Sequence, residues 1–469
     1  MIAKLATVAA ANSNNSFGVF SGGQATGLTP EYLITIFLAM VFAAALLSSR
    51  TKIPHTMILL AFGIAISFLS LIGLDIANIR QFTFAPSLII TFIIPPLIFE
   101  AMMNVDYKQF RAIRISALLL ATIGVILATL IGGFLLVYIA GLPFLVAFAF
   151  AALISPTDAA IVIEIFKRVR IPKVLSNLME SEAAFNDATG AIAFSSIIAL
   201  AIGGSGYAIV GGTSSNLLPF YPNNNEAGSS SSTFPSTVII GSIHLSLVTQ
   251  AEHFVLLFFG GAGIGLAIAA ATHKLHTLMN DPLSETSLTI VTVFGSVVLA
   301  NSLGVSGLAA VAVAGLYFGN VTVKKEATMS KNVRTFAFSF WEMIAFLASS
   351  AAFLYLGFSM NVLDMAQHLP IIVLAFIAVL AARAGTIYPL LAATGRFAKE
   401  NIPGTWRHIV LIGGMRGAIS VALVASLPPS EFKNILQTLT FGVVLLSLII
   451  QYIVLSKYVK KVFPDVQQQ

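Results

Sequence analysis

The segment Ile154-Ser155-Pro156-Thr157-Asp158 lies in the middle of an apolar run from 143 to 166. That run is long enough to cross about 30 Å of hydrocarbon at about 1.5 Å per helical residue. Pro156 has no amide proton and its ring crowds the preceding turn. The segment therefore predicts a helix that breaks mid-membrane and leaves backbone carbonyls free beside Asp158. A second interruption of the same kind is Gly413-Gly414-Met415-Arg416-Gly417, inside a run from 406 to 427. Three glycines flank an arginine there, and each glycine weakens a helix by up to about 1 kcal/mol.

Around these two segments the chain reads as an all-α polytopic membrane protein. Thirteen apolar runs are near spanning length, at 30–49, 53–74, 84–104, 113–139, 143–166, 174–203, 249–273, 285–302, 304–320, 338–360, 369–394, 406–427 and 435–456. Of the 469 residues 57% are hydrophobic and 9% charged, against about 25% charged in soluble domains, which excludes an aqueous fold. There is no cysteine, so disulfides, thiolate metal sites and cysteine nucleophiles are excluded as well. The interrupted runs are the fifth and the twelfth. An odd displacement makes the two broken helices run in opposite directions, as inverted repeats require.

The net charge of +6 becomes informative once it is sorted by loop. With the N-terminus outside, twenty of the 25 Lys and Arg fall on the cytoplasmic side and only Lys4, Arg80 and Lys433 outside, a bias that predicts N-out and C-in. The loop 204–248 has no Lys or Arg and is rich in Gly, Ser and Asn, so it reads as a flexible extracellular insertion. Residues 1–29 read as an extracellular tail and 457–469 as a cytoplasmic one. The basic excess thus belongs to topology, and no nucleic-acid partner is expected.

Two basic residues, Arg383 and Arg416, fall inside spans, where a charge costs about 2.5–3.5 kcal/mol or more. Glu100, Asp158, Glu182 and Asp187 lie at membrane depth with them, and Glu180 and Glu342 nearer the cytoplasmic ends. So many ionisable groups in the membrane indicate an ion or proton pathway; ion pairs that merely hold helices in register are the plainer alternative. In Glu180-Ser181-Glu182-Ala183-Ala184-Phe185-Asn186-Asp187, Glu182 and Asn186 share one helix face, and Asp187 lies about 20 Å along its span, near the midplane. A carboxylate there can hold a proton or a cation in turn, as an exchanger requires.

Other chemistries fit less well. Asp158 and Asp187 lack the Gly-x-Gly-Asp of an intramembrane aspartyl protease. Gly304-Val305-Ser306-Gly307 has the form of a rhomboid serine motif, yet no histidine sits mid-span opposite it, so it reads as a packed turn. Gly260-Gly261-Ala262-Gly263-Ile264-Gly265 lies in an apolar span and reads as a close-packing helix face, not a phosphate loop. A cation channel is the remaining rival from another class.

Together the motifs resemble the NhaP-type sodium/proton antiporters of the cation/proton antiporter 1 group, relatives of the animal sodium/proton exchangers. They are Pro95-Pro96-Leu97-Ile98-Phe99-Glu100, Ser155-Pro156-Thr157-Asp158, Glu182 with Asn186-Asp187, Leu303-Gly304-Val305-Ser306-Gly307, Phe340-Trp341-Glu342, Arg383, and Gly414-Met415-Arg416-Gly417. The resemblance implies an NhaA-like antiporter fold of 13 helices with helices 5 and 12 broken. It implies a homodimer, with a scaffold from 30–104 and 285–360 and a moving transport bundle from 113–203 and 369–456. By it Asp187 binds the cation or the proton, with Asp158, the Thr157 carbonyl and Glu100 completing the site. Glu182 pairs with Arg383, Asn186 positions Asp187, and Arg416 sits at the second break.

The resemblance further implies exchange of Na+ or Li+ for H+ across the cell membrane, in the service of sodium and pH homeostasis, with no cofactor and no enzymatic activity. Asn186, where electrogenic relatives carry an aspartate, implies electroneutral one-for-one exchange. Ala183 departs from the pattern: relatives commonly have a serine there whose hydroxyl helps to hold the cation. The departure leaves the choice among sodium, lithium and potassium open, so a potassium/proton antiporter stays a rival.

Overall fold

The computed structural model describes residues 30–51, 53–71, 92–105, 107–169, 171–201, 240–323, 329–360, 362–397, 402–425, 427 and 430–464. The N-terminal tail, Arg80, residues 84–91 of the third predicted span, residues 204–239 of the predicted loop and the last five residues lie outside them. Every regular element among the described residues is helical, without strands.

The chain begins with α1 (Pro30–Thr51), α2 (His55–Leu71) and α3 (Ile94–Asn104). α4 (Tyr107–Leu119) passes through a π-helical turn, Leu120–Gly124, into α5 (Val125–Ala140). α6 (Phe144–Ile154) and α7 (Ala160–Arg168) flank non-helical residues 155–159, and α8 (Lys173–Ala201) follows. Next come α9 (Ile240–His276), α10 (Pro282–Ser302), α11 (Gly307–Tyr317) with its π-turn Phe318–Thr322, and α12 (Lys331–Ser359). The short α13 (Val362–Gln367) precedes α14 (Leu369–Phe397). α15 (Gly404–Ile412) and α16 (Ala418–Ala425) flank non-helical residues 413–417. α17 (Glu431–Leu446), a π-turn at Ser447–Gln451 and α18 (Tyr452–Val462) end the described chain.

Seven helical stretches among the described residues are each long and apolar enough to cross a membrane, from Ile34–Thr51 to Glu431–Val462. His55–Leu69, Phe144–Ile154 and Gly307–Thr322 are shorter apolar helices. The 11 residues of α6 reach only about 17 Å, less than the about 30 Å of a hydrocarbon core.

Helices pack mainly within two sets, α1–α3 with α9–α12 and α4–α8 with α14–α18, and α8 and α16 also touch α3 and α12 of the first set. Small residues set the close crossings. Gly63 of α2 faces Gly357 of α12, and a Cβ on either would lie 2.7 Å from the other's Cα. Gly261 and Gly265 press against the Ser306 and Ala310 carbonyls, so the glycine run of α9 is a packing face, as its apolar setting predicts. Gly304 adopts φ +72°, and the Ser306 hydroxyl accepts from the Ala309 amide at 3.2 Å. That serine caps α11.

Candidate ion-binding site

The two non-helical stretches meet. The Asp158 amide donates to the Met415 carbonyl at 2.8 Å. The Arg416 guanidinium donates through Nη1 to the Ser155 and Pro156 carbonyls at 2.7 and 3.2 Å. These carbonyls close the end of α6, where an unpaired C=O and the negative end of the helix dipole both favour a cation. Arg416 therefore does for α6 what the next helical turn would have done had Pro156 not stopped it.

The glycines of the second stretch have a sharper reason than helix weakening. Gly417 lies against the Asp158 side chain and Gly414 against the Arg383 guanidinium, while Gly190 of α8 lies against the Pro156 ring. A methyl group at any of the three would overlap that neighbour.

Behind this crossing, Arg383 Nη1 and Glu182 Oε1 are 2.9 Å apart, both buried, and Arg383 Nη2 donates to the Val410 carbonyl at 3.0 Å. The structure thus pairs Arg383 with Glu182, in agreement with the sequence expectation. Asn186 reaches the first non-helical stretch. Its Oδ1 accepts from the Thr157 amide at 3.2 Å and its Nδ2 donates to Thr157 Oγ1 at 2.9 Å, so it holds Thr157 in place. Consecutive helix positions point about 100° apart, which lets α8 offer Asn186 to the broken segment and Asp187 to the space beside it.

That space is a cavity of about 740 Å³ lined by Asp187, Asp158, Thr157, Glu100 and Ala183. Glu182, Asn186, Arg383 and Arg416 are buried behind its wall and do not line it. Asp187, Asp158 and Glu100 are half-buried. Among the described residues no donor is hydrogen-bonded to the Asp187 carboxylate, whereas Glu100 Oε1 accepts from Asn104 Nδ2 at 2.6 Å. Glu164, Glu180 and Glu342 add three more carboxylates to the lining, against Lys173 and His55. Oxygen donors without thiolate suit a hard cation.

Sequence reasoning missed several of these residues. Glu164 lies in the middle of the short α7 and His55 at the start of α2, and only the fold brings them to one cavity. Ser420 lines the cavity at 1% exposure, and its hydroxyl has no hydrogen-bond partner among the described residues. Ser447 and Gln451, on the last helices, reach the second non-helical stretch: the Arg416 amide donates to Ser447 Oγ at 3.0 Å, and Gln451 Nε2 donates to the Ile412 carbonyl at 3.0 Å. Two polar residues four apart in an otherwise apolar run were the available signal.

The chain is 28% identical over 430 residues to the Na+/H+ antiporter ApNhaP of Aphanothece halophytica, covering 92% of this chain and 73% of that one. It is 28% identical over 428 residues to the low-affinity Na+/H+ antiporter NhaS1 of Synechocystis, covering 89% and 72%. The solved structure of the sodium proton antiporter MjNhaP1 from Methanocaldococcus jannaschii superposes with a TM-score of 0.67 at 19% identity, over 92% of this chain and 99% of that one, and shares the fold. The sodium/hydrogen exchanger transmembrane profile matches residues 36–461, a span that takes in both non-helical stretches and every residue of the cavity wall named above. This integral membrane chain therefore belongs to the sodium/hydrogen exchanger family, whose members are transporters that carry ions without a cofactor.

Proposed function

We propose that the protein exchanges Na+ or Li+ for H+ across the cell membrane by alternating access, one for one and without net charge movement. The observation that carries this reading is the Asp187 carboxylate, which faces the cavity beside Asp158 and Thr157 and is hydrogen-bonded to no donor among the described residues. A carboxylate in that position takes either a proton or a cation, and the two compete for one charge. Asp158, Thr157 and Glu100 supply further oxygens to the cation. Asn186, neutral and engaged with Thr157, adds no second exchangeable charge, which supports an electroneutral ratio. Glu182 and Arg383 brace the bundle, and Arg416 holds the end of α6.

In this reading the chain crosses the membrane thirteen times, N-terminus outside and C-terminus inside, with the fifth and twelfth spans broken. Helices within 113–203 and 369–456 move as a transport bundle against a scaffold from 30–104 and 285–360, through which two copies pair. Sodium and pH homeostasis is the resulting cellular role.

The test uses purified protein in proteoliposomes with a pH-sensitive dye. An imposed sodium gradient is expected to drive proton movement at a rate unchanged when the membrane potential is clamped, and Asp187→Asn is expected to abolish it. Cation flux without proton coupling, or wild-type rates in Asp187→Asn, would refute the reading. Because Ala183 offers the cavity no oxygen, the same measurement with sodium, lithium and potassium ranks the cations.

A further inference from the structure

The last helices never line the cavity, yet two of their side chains enter the second non-helical stretch. Ser447 is fully buried and Gln451 is 4% exposed. They are the first and last residues of the π-helical turn that joins α17 to α18. A π-turn widens a helix by one residue and is often found where a side chain must be aimed at a functional site.

The polarity of this contact is forced. The Arg416 amide can only donate, so Ser447 Oγ must accept from it and give its own proton to Gln451 Oε1. The Gln451 carboxamide oxygen is thereby committed, and its amino group is left to the Ile412 carbonyl. Ile412 is the last residue of α15 and Arg416 lies two residues before α16. One side-chain relay thus satisfies an orphan carbonyl on one half-helix and a free amide just ahead of the other. The stretch so held includes Met415, whose carbonyl receives the Asp158 amide, and Arg416, whose guanidinium holds the Ser155 and Pro156 carbonyls.

We propose that Ser447 and Gln451 are positioning residues for ion exchange: by clamping residues 412–416 they fix where Asp158 sits in the cavity, and so set cation affinity from a helix that does not touch the ion. This rests on the exchange reading above. Removing Ser447 leaves the buried Arg416 amide without its partner, and removing Gln451 does the same to the part-buried Ile412 carbonyl; either change lets the 413–417 stretch relax, which shifts Asp158 relative to Asp187.

The experiment is proteoliposome exchange measured over a range of sodium concentrations and pH for wild type, Ser447→Ala, Ser447→Thr and Gln451→Met, each checked for its melting temperature in detergent. Ser447→Ala and Gln451→Met are expected to raise KM for sodium about tenfold and to move the pH midpoint, with maximal rate retained to within about twofold. Ser447→Thr, which keeps the hydroxyl, is expected to restore both. If Gln451→Met does not fold, the Ser447 pair alone decides. Variants that fold and exchange with the wild-type KM and pH midpoint overturn the proposal alone, as does a loss of maximal rate at unchanged KM. A wild-type protein that shows no exchange overturns the reading on which it rests.

Discussion

Gly417 and Gly414 are fixed by their neighbours, an aspartate on one side and an arginine on the other. A Cβ at 417 would enter the Asp158 side chain, and one at 414 would enter the Arg383 guanidinium. Neither neighbour can retreat cheaply, since Asp158 is tethered by its amide to Met415 and Arg383 by Glu182 and Val410. Gly417→Ala is therefore expected to raise KM for sodium at least as much as loss of a site hydrogen bond would, about tenfold, in proteoliposome assays. A wild-type KM in a folded Gly417→Ala protein would show that Asp158 has room to move. The Glu182–Arg383 pair makes a different prediction, about stability. Both side chains are buried, so Glu182→Gln strands a cation and is expected to cost about 3–5 kcal/mol, read as a lowered melting temperature. Removing both charges together, with Glu182→Gln and Arg383→Met, is expected to recover part of that loss, which separates stranded charge from lost packing.

At the scale of elements, the two interruptions differ in how far the sequence alone reveals them. Pro156 disfavours helix through covalent chemistry, and α6 spans Phe144–Ile154 just ahead of it. The glycine stretch gives a weaker signal, because glycine permits unwinding without compelling it; what keeps 413–417 out of helix is the set of partners that its amides and carbonyls find elsewhere, on Ser447 and Asp158. Those partners are distant in sequence, so no local pattern contains them. The same limit explains Asn186. Its place on one face with Glu182 was legible, but that it grips Thr157 depends on how α8 lies against the end of α6. Asn186→Ala would leave the buried Thr157 amide without its partner, at a cost of about 1–3 kcal/mol. The expected result is weaker sodium affinity with exchange still electroneutral, measured as KM and as insensitivity to a potassium–valinomycin potential. An electrogenic Asn186→Ala protein would contradict the assignment of the exchangeable charge to Asp187 alone.

For the whole molecule, charge sorting along the sequence and the shape of the cavity bear on one question, the side to which the site opens. Lys173, Ser176 and Glu180 occupy the first turns of α8 and line the cavity, and Asp187 lies seven residues, about 10 Å, beyond Glu180. If the loop that holds Lys167, Arg168, Arg170 and Lys173 is cytoplasmic, as the distribution of Lys and Arg predicts, the cavity of this conformation faces the cytoplasm. The helices that complete its wall, α2, α3 and α12, come from remote parts of the chain, which is why the cavity was not legible in the sequence although most of its carboxylates were. The absence of cysteine makes the orientation directly measurable, because one introduced thiol is the only thiol in the protein. Ser176→Cys is expected to react with a membrane-impermeant maleimide in inside-out vesicles and not in right-side-out ones. Sodium is expected to slow the reaction, since an ion at Asp187 favours conformations in which the cavity is closed or turned away. Labelling from the outside alone would invert the topology and with it the direction in which the site opens.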